Sequence, residues 1–595
     1  MPALMPHQSF PLTLASTFDA HFLSPSRPSL VAVPSSCVSI SAIIGCPRSF
    51  FNTTPFMNPL HFLPLALFLL ASCAQQPTQS SDPADEQQLF IGDNIAVAKT
   101  QYGYVKGYIL HGTYTYLGIP YGKTTEGEGR FLPAQAPTAW NDTLPTVFYA
   151  ASAPQFTEGK YANNYYTFTD HWNYYDVGED CLKLNVWTQG LADGKKRPVL
   201  FWIHGGGFTN GNGIEQDGYH GENLSRYGDV VFVSVNHRLG PIGFSDFSAV
   251  DPRYADSGNV GILDLVEALR WVKNNIEAFG GDPANVTIMG QSGGGAKVCT
   301  LVSMDECKGL ISKAVALSGN IYSAIDQNYS SALGQYIYQK AGRNMKKLTS
   351  MPWIEYLRFA NEAAAEFNQK TKGNGMMRGA FGPVADGRHI PKGTFFQDPN
   401  GASANVPMIF STTTCENSIS RTNAALETLT DEQLVPFVER SKPGRDAKAI
   451  IEAYRKALPD KSGIELLGYI NSSRDRVIGA INAKAVQPAP LYLAWFDWQP
   501  PLFDGRMRAF HCLDICFWFR NTDLMVTHTG GGARPRALST KMADALLAFM
   551  RTGDPNCASL HEWPRYTPET GQSMLLNDDC HVVDDIDRDA RALLQ

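Results

Sequence analysis

The chain has 595 residues, 44% hydrophobic and 18% charged, a balance that supplies a large core and excludes fibrous and disordered classes. A net charge of −7 is mild for this length, and no dense Lys/Arg run with interleaved aromatics is present, so nucleic acid is not an expected partner. Length alone suggests several domains, but α/β chains commonly grow by loop insertion, and one domain over residues 93–595 is expected.

In chain order, residues 1–56 are rich in Ser, Pro and Phe and show no sustained period of 2 or 3.6, so no packed element is expected there. From Met57 the stretch MNPLHFLPLALFLLASC has the layout of an export signal: a short polar start, an apolar run too short to span a bilayer comfortably, and small residues before a cysteine. The Leu70-Ala71-Ser72-Cys73 ending resembles a bacterial lipoprotein signal, which implies lipidation of Cys73 and membrane attachment of the mature protein. The signal carries His61 but no Lys or Arg before its apolar run, and an ordinary secretory signal or an uncleaved anchor are the alternatives. Met57 is then the expected working start, with residues 1–56 outside the mature protein. Residues 74–92 are polar, acidic and Pro-containing, and read as a flexible tether.

From Asn94, NIAVAKTQYGYVKGYILHGTYTYLGIPYG alternates apolar and polar residues between Gly-containing turns, which predicts a small antiparallel meander. Six later segments are near-continuous apolar runs, as strands buried on both faces should be: PVLFWIHG (198–205), DVVFVSVNHR (229–238), NVTIMG (285–290), KAVALSG (313–319), VPMIFST (406–412) and LYLAWFDW (491–498). Between them lie helical patterns, clearest over 257–281, where Ile262, Leu265, Leu269, Val272 and Ile276 recur at steps of three and four. Alternating strands and helices predict an α/β fold, a large mostly parallel sheet covered on both faces, with ligands at the carboxyl ends of its strands.

At the end of NVTIMG comes Gly290-Gln291-Ser292-Gly293-Gly294, followed by the helix-capable AKVCTLVSM. In a chain with 52 glycines the five residues alone are a weak signal. The strand, Gly-lined turn and helix around it are what force a serine side chain outward as a nucleophile. A serine hydroxyl needs a base, and histidine suits neutral pH. Of His511, His528, His561 and His581, His511 lies just beyond the last strong strand. An acid between them completes the set: Glu416 follows the VPMIFST strand, and Asp386 in FGPVADGRHIP is the rival. The His204-Gly205-Gly206-Gly207-Phe208 stretch after PVLFWI offers bare backbone, so Gly206 and Gly207 with the Gly293 amide are candidate oxyanion donors.

These residues carry a family resemblance. With LGIPYG (117–122), GEDCLKLNVW (178–187), VNHRLGPIGF (235–244), the SGNVGILD…GGDPANVTIMGQSGGG block (257–295) and RTGDPN (551–556), the chain resembles a type-B carboxylesterase over roughly residues 95–590. That resemblance implies an α/β-hydrolase fold related to the cholinesterases and hydrolysis of small-molecule esters through an acyl-enzyme. It assigns Ser292, Glu416 and His511 to the triad and Gly206, Gly207 and Gly293 to the oxyanion hole, with no metal or organic cofactor. An amidase, lactonase or thioesterase would use the same triad. A non-catalytic relative would be expected to have lost part of it.

Three positions depart from the family pattern. Cys181 sits where a disulfide is frequent, but its partner region has Ala153. Gln291 replaces the carboxylate that cholinesterases carry beside the nucleophile, which weakens the case for a cationic substrate. Asn417 follows the acid where glycine is usual. Trp172, near the place of the choline-stacking tryptophan, reads as a hydrophobic pocket wall, with Phe208 and Gln291 as further pocket candidates. Of the eleven cysteines, eight lie beyond Cys73; Cys557 with Cys580 and Cys299 with Cys307 are short-loop disulfide candidates. No CxxC pair suggests zinc. Oligomeric state is not readable.

Overall fold

The strands expected from continuous apolar runs all enter one twelve-stranded sheet in the computed structural model, which describes residues 87–157, 176–371, 380–560 and 562–594. In chain order its strands are β1 (Leu89–Phe90), β2 (Tyr108–Leu110), β3 (Thr113–Pro120), β4 (Lys183–Thr188), β5 (Arg197–Ile203) and β6 (Val231–Val235). They continue with β7 (Gly281–Gln291), β8 (Lys313–Leu317), β9 (Met408–Thr413), β10 (Leu491–Phe496), β11 (Ser573–Leu576) and β12 (His581–Val583). Spatial order follows the chain except that β6 precedes β5. From β6 through β11 every neighbouring pair is parallel, and the pairs outside that block are antiparallel.

Every residue of β6, β9 and β10 is buried. The reason is visible in β5, whose Val199, Phe201 and Ile203 enter one core while Leu200 and Trp202 enter the other. Helix α1 (Val260–Asn275) covers the first face with Ile262, Leu265, Leu269 and Val272, and α2 (Gly293–Val302) leaves the end of β7. Between β9 and β10 the chain inserts helices Asp431–Ser441, Ala447–Ala457 and Gly463–Asn471 around a small core of their own, then α3 (Arg474–Lys484). Helix α4 (Ala533–Thr552) covers the second face with Leu538, Met542 and Leu546. A buried ion pair joins the loop after β6 to α1: the Arg238 guanidinium donates to both Asp264 oxygens at 2.8 and 2.5 Å, and both side chains are fully buried.

Three expectations need correction. The N-terminal meander divides: Val97–Thr100 and Gly103–Lys106 pair in a separate three-stranded sheet with Leu144–Pro145, while β2 and β3 extend the main sheet. Hydrogen bonding at the sheet edge captures the end of the tether expected over 74–92, because Leu89 and Phe90 pair with Leu110 and Ile109. Neither disulfide candidate forms. Cys299, Cys307, Cys557 and Cys580 are free thiols, and the first two are buried in apolar surroundings that push the Cys299 thiol up to about 12. Cys181 is likewise a buried free thiol. No helix among the described residues is long and apolar enough to cross a membrane. The segments 1–56 and 57–73, with Cys73, and residues 74–86 of the tether lie outside the described residues, as does Trp172.

Candidate active site

Ser292 sits at the turn between β7 and α2 with φ 56° and ψ −124°, a strained conformation for a non-glycine residue. Its N–H donates to the Leu317 carbonyl of β8 at 2.8 Å, and its hydroxyl is not spent on capping α2. Gln291 and residues 293–302 are buried, whereas Ser292 remains partly exposed, so the turn presents this one side chain. The glycines around it are a packing requirement. A Cβ on Gly293 would overlap the Gly207 carbonyl, and one on Gly319 would overlap the Ser292 carbonyl.

The same closeness brings the Gly206–Gly207 loop to the serine. Gly206 and Gly207 adopt φ of 79° and 63°, and Gly207 packs directly on Gly293. Beneath the loop lies Lys297 of α2, a fully buried amine that donates to the His204 carbonyl at 3.1 Å and lies 5.8 Å from the Phe208 ring centroid. Burial pushes this amine down to about 7. Sequence reading missed Lys297 because a lysine within AKVCTLVSM reads as a solvated position of a helix.

His511 and Glu416 meet through Nδ1 and Oε2, and the His511 N–H donates to the Glu416 carbonyl at 3.1 Å. Thr412 Oγ1 donates to the other Glu416 oxygen, Oε1. Burial opposes the charge on Glu416, but the His511 imidazole and the Thr412 and Ser318 hydroxyls outweigh it and hold the carboxyl below its ordinary range. For His511, burial opposes protonation, yet the neighbouring Cys512 and Glu416 side chains prevail and raise the imidazole well above the ordinary histidine range. Three residues on, Asp514 is fully buried, and burial followed by the charge of Glu416 pushes its carboxyl up to about 7. Nothing in its spacing had marked it.

Ser292, His511 and Glu416 line one cavity of about 580 Å³ with Gly207 and Gly293. Phe208, Ile321, Ile325 and Phe381 give it apolar walls, and Asn417 adds a polar group beside the acid. Gly206 stands one residue outside the lining. Gln291 does not belong to the pocket as expected: its side chain is fully buried, with its amide nitrogen 3.4 Å from both His511 ring nitrogens and its oxygen accepting from Cys512 Sγ at 3.2 Å. As the last residue of β7 it turns beneath the imidazole rather than toward the cavity. The rival acid Asp386 instead caps a turn, accepting from the N–H groups of Arg388, His389 and Ile390 at 2.9, 2.9 and 3.0 Å. Among the described histidines of the C-terminal region, His528 is buried edge-on against Phe510, His581 is exposed, and neither lines the cavity; His561 lies outside the described residues.

A serine on a strained strand-to-helix turn, at the carboxyl edge of a largely parallel sheet covered on both faces, defines the α/β-hydrolase class. Residues 94–592 match the model of the Carboxylesterase family, and the chain belongs to that family. It is 30% identical over 502 residues to para-nitrobenzyl esterase of Bacillus subtilis (strain 168), covering 84% of this chain and 98% of that protein. Its fold matches a solved carboxylesterase of Geobacillus stearothermophilus with a TM-score of 0.68 at 33% identity, covering 84% of this chain and all of that one. It also matches a Clostridium hathewayi esterase described as hydrolysing aliphatic aromatic polyesters, with a TM-score of 0.70, 31% identity, and coverage of 85% and 99%. The protein is a serine hydrolase that cleaves carboxylic esters.

Proposed function

We propose that Ser292 is the nucleophile, His511 the general base and acid, and Glu416 the carboxylate that orients the imidazole. One observation carries the assignment: a histidine bound to a largely buried carboxylate lines the same cavity as a serine on a strained turn. With Nδ1–H donated to Glu416, His511 carries an unprotonated Nε2 that takes the Ser292 proton as Oγ attacks the ester carbonyl. The Gly206, Gly207 and Gly293 amides stabilise the oxyanion, His511 then protonates the departing alkoxide, and water hydrolyses the acyl-enzyme by the same route. Phe208 walls the acyl region, and by the family resemblance Trp172 supplies a second wall. Gln291 acts on the imidazole rather than on substrate.

The reading is tested by pre-steady-state hydrolysis of p-nitrophenyl butyrate with and without an organophosphonate. A p-nitrophenol burst equal to the enzyme concentration and a phosphonate adduct on the Ser292 peptide are expected. An adduct on another residue would contradict the assignment. We further propose that residues 57–73 direct export, that Cys73 is lipidated and holds the domain at a membrane, and that residues 1–56 are not part of the mature protein. The layout of the apolar run and its Leu-Ala-Ser-Cys ending support this.

A further inference from the structure

The cavity has an ionised side chain that the acyl transfer does not use. Arg476, at the start of α3, lines it together with Asn471 and Ser473, opposite in character to the wall of Phe208 and Phe381. Arg476 is itself exposed, but the helix turn that carries it is anchored. The preceding Arg474 is buried, donates to both Asp587 oxygens at 2.9 and 2.8 Å, and stacks 3.8 Å from the Trp495 ring centroid, which pins the first turn of α3. Arg476 Nη2 then donates to the buried Ser473 Oγ at 2.7 Å.

Among the described residues Arg476 has no carboxylate partner. Burial pushes the nearby Lys442 amine down, with Asp475 favouring and Arg476 opposing its charge, and Glu416, the other acidic group lining the cavity, is bound to the imidazole. A guanidinium with open donors facing a substrate cavity matches a carboxylate in charge and planar geometry. We infer that this esterase takes substrates carrying a second, ionised carboxylate, which Arg476 binds while the ester group lies at Ser292. Half-esters of dicarboxylic acids and carboxylate-tailed acetates are the class. A cavity of about 580 Å³ is on the order of 10 Å across, room for a spacer of a few methylenes. The reaction itself is unchanged: water adds, the alcohol leaves, and a dicarboxylate or hydroxy acid is released.

This inference rests on the Ser292 reading, and paired substrates separate the two. Monoethyl adipate is compared with ethyl hexanoate, and 6-acetoxyhexanoate with hexyl acetate, so that each pair exchanges a carboxylate for a methyl group at equal length. Hydrolysis of the neutral members reports on the esterase alone. The wild type is expected to process the anionic member of at least one pair as well as its neutral counterpart, with a preference that weakens as salt is added. Arg476→Gln should lower that anionic-to-neutral ratio of kcat/KM at least tenfold, and Arg476→Lys should restore part of it. Rejection of both anionic members by the wild type, or an unchanged ratio in Arg476→Gln, would overturn the inference.

Discussion

His511 touches Glu416, Gln291 and Cys512, and its ionisation follows from that company. Because its pKa is raised, the neutral ring that the proposed attack needs accumulates only above the ordinary histidine range, and the acid limb of kcat/KM is expected to sit high. Glu416→Gln removes the charge: kcat should fall by on the order of 10³-fold or more while the acid limb moves to lower pH, read from kcat/KM profiles of both enzymes. An unmoved limb would contradict the pairing. Asp514 works through stability instead. The folded protein keeps its proton up to about 7, whereas the unfolded chain releases it near 3.8, so the folded state binds the extra proton in that window and loses stability as pH rises through it. Asp514→Asn should therefore raise the thermal midpoint more at about pH 8 than at about pH 5, and equal shifts would refute the linkage. Residues of this kind were the least legible from sequence. Ser292 announces itself through a strand, a glycine turn and a helix, but Lys297 and Asp514 owe their behaviour to burial, which spacing does not encode. Gln291 was misplaced because only the fold decides which side of the imidazole a residue at the end of β7 faces.

At the scale of elements, strands buried on both faces were readable because each must be apolar at every position, as in Leu491–Phe496. Strands β11 and β12 span four and three residues, too short for any pattern to emerge. The antiparallel hairpins near the N-terminus were legible as strands, but their partners were not, since pairing across Leu89 and Leu110 is set by the sheet edge rather than by local sequence. The disulfide candidates failed for a related reason: closeness in the chain says nothing about whether two cysteines face each other. The loop after β6 depends on the buried Arg238–Asp264 pair to hold it against α1. Asp264→Ala leaves a buried guanidinium without its carboxylate and should destabilise the protein by about 3–5 kcal/mol, seen as a thermal midpoint several degrees lower. A midpoint equal to the wild type would mean that the loop is held by its packing alone.

Taken whole, residues 82–595 form one compact unit, and the insertion between β9 and β10 is its main elaboration. That insertion leads into α3, which brings Arg476 to a cavity whose reactive wall comes from the loops after β5, β7, β8, β9 and β10. Sequence periodicity located the sheet yet not this placement, because three short helices around Leu434, Ile450 and Leu466 bury their faces on one another. The N-terminal proposal belongs to this scale too. Mass spectrometry of the mature protein should find a lipidated Cys73 as the first residue, and peptides from residues 1–56 would refute it. The most direct test of the central claim is turnover of p-nitrophenyl butyrate by purified Ser292→Ala beside the wild type, with folding checked by circular dichroism. Folding intact and kcat lower by on the order of 10³-fold or more is the predicted result. A folded variant that hydrolyses the ester at near wild-type rate would show that the nucleophile lies elsewhere.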